Sequence, residues 1–179
     1  MFAIIDLEWT SWKNSYERNW SFSWEKREII QIGAIKFSKK NKIIKKNIIT
    51  KPKFNKNLSL YIQKLTGISQ QLINTKGTNL REAILDLNVF FNDVKIIYCN
   101  GLDKEIFIEN CELYNFVQPN FLKKIINIRP KLSEKLKIME NQVISSNLNK
   151  NIGLKCLKKH NALDDCLNIL NVIKKYNIN

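Results

Sequence analysis

Asp6 and Glu8 flank Leu7 at the end of a short apolar run from Phe2 to Leu7. Side chains alternate along a strand, so the two carboxylates share one face, roughly 7 Å apart along the backbone. Placed so, they repel unless a cation or a proton lies between them. A third acid, Asp103, follows the compact apolar run Lys95 to Cys99 and the turn Asn100-Gly101-Leu102. That is a strand-to-helix junction, the place where open α/β sheets present ligands. His160, the only histidine, stands five residues before Asp165 at the mouth of the last amphipathic stretch. Of the adjacent Asp164 and Asp165, only one can look into a shared site, because neighbours on a helix point about 100° apart. Taken singly these features are common: acids end many strands and cap many helices. Together they offer clustered hard oxygen ligands and one titratable base.

The elements that must hold these residues can be read from periodicity. Phe2–Leu7, Glu28–Phe37 and Lys42–Thr50 read as three strands in an antiparallel meander. Between the first two, the polar and aromatic stretch Trp9 to Lys26 reads as a loop over one end of the sheet. A short turn is expected around Leu58 to Gln63, and a loop at Leu65-Thr66-Gly67-Ile68-Ser69. Asn79 reads as an N-cap with Glu82 three residues on, and Leu80, Ile84, Leu87 and Phe91 fall on one face of a helix. Lys95–Cys99 and Phe121–Ile128 read as a fourth and fifth strand, with a helix from Lys104 to Tyr114 between them. Leu132–Met139 and Gly153–Lys159 look like short helices, Asn141–Asn151 like a mobile loop, and Ala162–Tyr176 like a C-terminal amphipathic helix. The expected fold class is α/β, a mixed five-stranded sheet flanked by helices.

Length and composition bound the rest. The 179 residues suit one domain, 1–179, with no internal repeat or linker. Hydrophobic residues at 44% and charged residues at 26% are ordinary for a soluble globular protein. Four cysteines without a Cys-x-x-Cys pair indicate neither a zinc site nor a disulfide framework. The N-terminus has no basic region before its apolar run and no span of about 20 apolar residues follows, so a cytoplasmic location and no membrane partner are expected. A net charge of +14 favours a polyanionic partner, although a chain so rich in Lys, Asn and Ile also carries charge through codon bias alone.

Asp6-x-Glu8, Asp103 and His160-x-Ala162-x-x-Asp165 resemble the three exonuclease motifs of the DEDDh family, whose members share a ribonuclease H-like fold. Thr10 and Trp12, the Gln31-Ile32-Gly33-Ala34 strand and Leu65-Thr66-Gly67-Ile68 extend the resemblance over nearly the whole chain. It is similar in detail to KinA-inhibitor-like bacterial exonucleases and histone-mRNA exonucleases.

The resemblance implies a 3′-to-5′ exonuclease that removes nucleoside 5′-monophosphates from the 3′ ends of single-stranded nucleic acid, RNA favoured over DNA. It implies two ions, Mg²⁺ or Mn²⁺, which hard oxygen ligands also favour over Zn²⁺. Asp6 would bridge both ions, Glu8 and Asp165 would complete the first, and Asp103 would support the second. His160 would take the proton from the attacking water. Leu7, Trp9 and Thr10, after the first acid, and Leu65, Thr66, Gly67 and Ile68 would contact the terminal nucleotides. The chain departs from the pattern at Cys99-Asn100-Gly101-Leu102, where close relatives carry a Trp-Gly pair before the acid; Asp86 and Asp93 are the only nearby substitutes for Asp103. The alternative is a catalytically inactive nucleic-acid-binding or regulatory module of the same fold. A site that keeps four mutually repelling acids and a base argues against it.

Overall fold

The structure is a computed structural model describing residues 1–37, 42–155 and 157–178. Five strands make one sheet in the order β3-β2-β1-β4-β5. β1 (Phe2–Trp9), β2 (Ile29–Phe37) and β3 (Ile43–Ile49) form the expected antiparallel meander. β4 (Ile96–Cys99) and β5 (Ile125–Asn127) add in parallel on the other side of β1, which makes β1 central. A parallel neighbour requires a crossover. Helices α1 (Leu60–Thr66), α2 (Gln70–Lys76) and α3 (Leu80–Phe90) occupy the first crossover and α4 (Asp103–Leu113) the second. α5 (Arg129–Leu136), α6 (Leu148–Asn151) and α7 (Ala162–Tyr176) complete the described helices. None of these is long and apolar enough to cross a membrane.

The period of two along β1 sorts its side chains between two cores. Ala3, Ile5 and Leu7 pack with Leu80, Ala83 and Leu87 of α3 and Ile106 and Phe107 of α4. Ile4 packs on the opposite face with Cys166, Ile169 and Ile173 of α7 and Leu132 of α5. Asp6 and Glu8 continue the Ile4 face, so the same alternation that buries Ile4 aims both acids under the start of α7.

Several expected boundaries move. The sequence Asn120–Lys124 is a 3-10 turn, leaving only Ile125–Asn127 as β5. The helix expected from Leu132 begins at Arg129, since Pro130 suits the first turn of a helix, where its missing N–H is no loss. α2 was not expected; Ser69 caps it by accepting from the Leu72 amide at 3.0 Å. The loop expected at Leu65 to Ser69 begins as the end of α1 with its cap Gly67 and finishes at Ser69, the cap of α2. Asn141–Asn151, expected to be a mobile loop, folds into 3-10 turns and α6 and buries Val143, Ser146 and Leu148. Its anchors fall at irregular intervals, which a periodicity search cannot register. No helix forms in the described part of 153–159; Gly153 instead takes the left-handed conformation, with φ 76°.

Candidate active site

β1 carries the site's first two carboxylates to the edge where its pairing with β2 slips by one residue between Glu8 and Trp9. In the ladder Asp6 faces Gly33 and Glu8 faces Gln31. These two β2 residues dock the N-terminus of α7. A β-carbon on Gly33 would come within 2.2 Å of the Ala162 carbonyl carbon, so only glycine admits the helix at this depth. Gln31 accepts the Ala162 amide at 3.1 Å, which anchors one of the helix's otherwise unpaired N–H groups. Asn161 caps the same turn by accepting from the Asp164 amide at 3.3 Å. One turn further, Asp165 points to the sheet and Asp164 does not: Asp6, Glu8 and Asp165 each offer an oxygen within 4.8 Å of the others, all buried.

Asp103 enters from the other side. It occupies the first turn of α4, where the helix dipole favours a negative charge, and its Oδ1 accepts the Leu7 amide at 2.9 Å. It lies outside the triangle of three acids yet is the charge that repels Asp6 most strongly. The four acids therefore form one cluster with Asp6 at its middle, and each is at least nine-tenths buried.

Such crowding shows in their ionisation. Burial, and then the charges of Asp103, Asp165 and Glu8, hold the Asp6 carboxyl well above the usual carboxylate range. Glu8 is pushed up to about 8 by burial with Asp165 and Asp103 beside it. Asp165 rises to about 7 through burial, against a hydrogen bond from Asn168 at 3.2 Å. Asp103 rises to about 6, also through burial, with the Leu7 amide and the Arg129 guanidinium pulling it down. Carboxylate oxygens packed this closely make a donor set for a hard divalent ion, whose charge would offset the burial and mutual repulsion that raise the values.

Further polar groups support the cluster. The Ser145 hydroxyl hydrogen-bonds Asp6. Asn100 donates to the Ser145 hydroxyl at 2.8 Å and to the Val143 carbonyl at 3.2 Å. Arg129 in turn donates to the Asn100 side-chain oxygen at 3.2 Å and its carbonyl at 2.7 Å. Asn100, Arg129 and Ser145 were not singled out from sequence, and no spacing marks them; they lie 45 positions or less apart along the chain but meet only through the β4–α4 turn and the 3-10 turn at Ser145. Asn100 lies in the segment Cys99-Asn100-Gly101-Leu102 that departs from the family pattern, and it links that turn through Ser145 to Asp6.

A cavity of about 600 Å³ opens over the acids. His160 lines it, held in the left-handed conformation with φ 51°, and burial with the nearby Lys159 charge keeps its imidazole below the ordinary histidine value. Of the other expected contact residues, Leu7, Trp9 and Leu65 line the cavity. Thr10 does not: its hydroxyl bridges the Lys26 carbonyl and the Glu28 amide. Thr66 is likewise spent inside, donating to the Ile62 carbonyl at 2.8 Å and accepting the Ile68 amide at 3.0 Å. Ile68 is buried with Ile30, Leu58, Ile62 and Ile73, so it cannot wedge between bases. Gly67 caps α1 with φ 74° and donates to the Gln63 carbonyl at 2.9 Å. Tyr61, exposed on the same helix, faces the cavity in their place, with Trp12, Tyr16 and Trp20.

A mixed sheet of this order, with acids from its central strand, from the turn after its neighbour and from the last helix, defines a ribonuclease H-like nuclease fold. The chain belongs to the exonuclease family, whose sequence profile matches residues 3–173. No curated protein sequence matches it. Among solved structures, the nuclease domain of 3′hExo, a DEDDh family member bound to rAMP, superposes with a TM-score of 0.83 at 22% identity, over 97% of this chain and 90% of that one. A full-length 3′-exonuclease gives 0.80 at 24% identity, but this chain covers only 59% of its length. E. coli Exonuclease I in complex with a dA16 oligonucleotide gives 0.65 at 15%, covering 98% of this chain and 41% of that one.

Proposed function

We propose that the protein is a divalent-metal-dependent 3′-to-5′ exonuclease acting on single-stranded nucleic acid, RNA in preference to DNA. The observation that carries this reading is the buried cluster of Asp6, Glu8 and Asp165 with oxygens within 4.8 Å, set at the floor of an open cavity in an exonuclease-family chain. Asp6, Glu8 and Asp165 would hold one Mg²⁺ or Mn²⁺, and Asp6 with Asp103 a second. Such ions activate a water and neutralise charge that builds on a phosphodiester during displacement.

The chain's own residues do the rest. His160, neutral near pH 7 because burial disfavours its cation, accepts the proton of the attacking water. The Leu7 amide and the Arg129 guanidinium favour the ionised form of Asp103, and Ser145 opposes in small part the burial and neighbouring charges that raise Asp6. The walls built by Trp9, Leu65 and Tyr61 receive the terminal nucleotide, and nucleoside 5′-monophosphate leaves. The test is incubation with 5′-labelled single-stranded RNA and DNA of one sequence in Mg²⁺ or Mn²⁺. Stepwise shortening from the 3′ end, faster on RNA and absent in Asp6→Ala, is expected. Products of internal cleavage, or an Asp6→Ala protein as active as wild type, would sink the reading.

A further inference from the structure

All four tryptophans of the chain lie between positions 9 and 24, Trp9 at the end of β1 and the other three in the segment that joins β1 to β2. This strap is built as a rigid object. Thr10 closes its base, its amide donating to the Glu28 carbonyl at 2.8 Å. Glu25 is a buried carboxylate, ion-paired to Arg18 and accepting the Ser15 hydroxyl at 3.2 Å, which ties the middle of the strap to its end. Trp20 sits in the left-handed region with φ 49°, where a bulky side chain is strained, and is held there by the Trp9 and Tyr16 rings and by Arg27 over its face.

The outer rings are arranged as a ladder. Trp12 lines the catalytic cavity and meets Trp24 edge-on at 4.9 Å between ring centroids. Trp24 then stacks on Phe22 at 5.7 Å, with only 19° between planes. Phe22 and Trp24 are half exposed, and Tyr16 is 79% exposed. Core packing explains Trp9, and ring contacts with Trp9 and Tyr16 hold Trp20; neither explains rings left in water beside Trp12. Arg18, ion-paired to Glu25, lies 4.8 Å over Phe22; Lys13 and Lys26 are exposed along the same segment together with one acid, Glu17, whereas Glu25 and Glu28 are buried. The exposed charge that flanks the rings thus includes cations suited to a phosphate backbone.

We propose that this strap is a stacking platform for the unpaired bases upstream of the 3′-terminal nucleotide, so that the preferred substrate is a single strand several nucleotides long. The proposal rests on the exonuclease reading and deepens it. Base–aromatic stacking tolerates any sequence because every base has a flat face, and a rigid platform loses little entropy on binding. Two ring-to-ring steps beyond the cavity accommodate on the order of three stacked bases at about 3.4 Å each. Continuity with the cavity selects the occupant: Trp12 lines the cavity and Trp24 and Phe22 follow it outward, so a strand whose end is in the cavity has a run of rings beside it.

Tryptophan emission reports on the strap together with Trp9 at the cavity wall, since all four tryptophans lie there. Wild-type protein titrated in EDTA with a single-stranded octamer, the matching dinucleotide and a blunt hairpin should show deeper quenching by the octamer than by the dinucleotide, none by the hairpin, and an octamer affinity at least about tenfold above the dinucleotide's. Trp24→Ala and Phe22→Ala should each reduce the octamer-to-dinucleotide affinity ratio about tenfold, read by anisotropy, and Trp24→Phe should retain it. Equal binding of octamer and dinucleotide, a ratio unchanged in both alanine variants, or a response to no oligonucleotide at all overturns the platform; the last would assign the rings to a protein contact. Because the length series uses wild type, misfolded variants do not rescue or sink it. Octamer turnover in Mg²⁺ reads the activity separately: turnover without length-dependent quenching overturns the platform alone, and quenching without turnover supports the platform while overturning the exonuclease reading.

Discussion

Gly33 lies directly beneath Ala162, at a depth where a β-carbon would come within 2.2 Å of the Ala162 carbonyl carbon. Because Gly33 is also the ladder partner of Asp6, this contact sets how near the last helix brings Asp165 to the first strand. Gly33→Ala should lift the start of α7, lower stability by about 1–3 kcal/mol as overpacking does, and cost more activity than stability. Chemical denaturation and initial rates on one preparation check it. A variant with wild-type turnover would show that Asp165 does not depend on this approach.

The acid cluster makes the stability of the metal-free protein depend on pH. Asp6, Glu8, Asp103 and Asp165 all titrate higher in the fold than in an unfolded chain, so the native state binds more protons. Stability is then fully present below about pH 4 as far as these groups are concerned, and falls as pH rises toward 8. In EDTA the melting temperature should drop across that window, and Asp6→Asn should raise it by several degrees at pH 8 while abolishing turnover. Mg²⁺ or Mn²⁺ should raise the wild-type melting temperature more at pH 8 than at pH 5. An equal shift at both would mean the ions bind elsewhere.

For His160 the sign is opposite. Its imidazole is held below the usual value, so the neutral form that accepts a proton persists down to a pH under about 6.5. His160→Ala should lower kcat by roughly 10²–10⁴-fold and remove that acid limb from the rate profile, with the metal-induced melting shift retained. Loss of the melting shift along with turnover would make His160 a ligand.

Arg129 is the cation beside Asp103 and the donor to both oxygens of Asn100. Arg129→Ala should leave those acceptors unpaired at a cost of about 1–3 kcal/mol and let Asp103 rise further, moving the activity profile to higher pH. Arg129→Lys should restore little, since one ammonium cannot reproduce the two-pronged contact. Full rescue by lysine would reduce the role to charge alone.

How much of this was legible beforehand follows from what local pattern can encode. The β1–β2–β3 meander, the fourth strand and α3, α4 and α7 were readable because their apolar residues repeat at periods of 2 or 3.6, and Asn79 gave α3 its start. The acids were readable because Asp6-x-Glu8 and His160 to Asp165 keep a fixed spacing within one element each, and the structure brings Asp6, Glu8 and Asp165 together. Ser145, Asn100 and Arg129 were not, since their roles exist only where three turns distant in sequence converge. The side chains of Thr10, Thr66 and Ile68 lie away from the cavity for the opposite reason. They sit beside motif residues in sequence, but a hydroxyl bridging the strap ends, a hydroxyl closing α1 and an isoleucine in the core are tertiary duties that proximity in sequence does not reveal.

The closure of the strap at Thr10 has an evolutionary corollary. A segment whose two ends are stapled to each other, by the Thr10 hydroxyl to Lys26 and by the Thr10 and Glu28 main chains, can change length or composition between the staples without disturbing the register of the strands that carry the acids. Ligand preference and bond-breaking chemistry are thereby placed on separately tradable parts. Grafting another protein's loop between Thr10 and Lys26 is the natural route to redirecting this scaffold toward new strands.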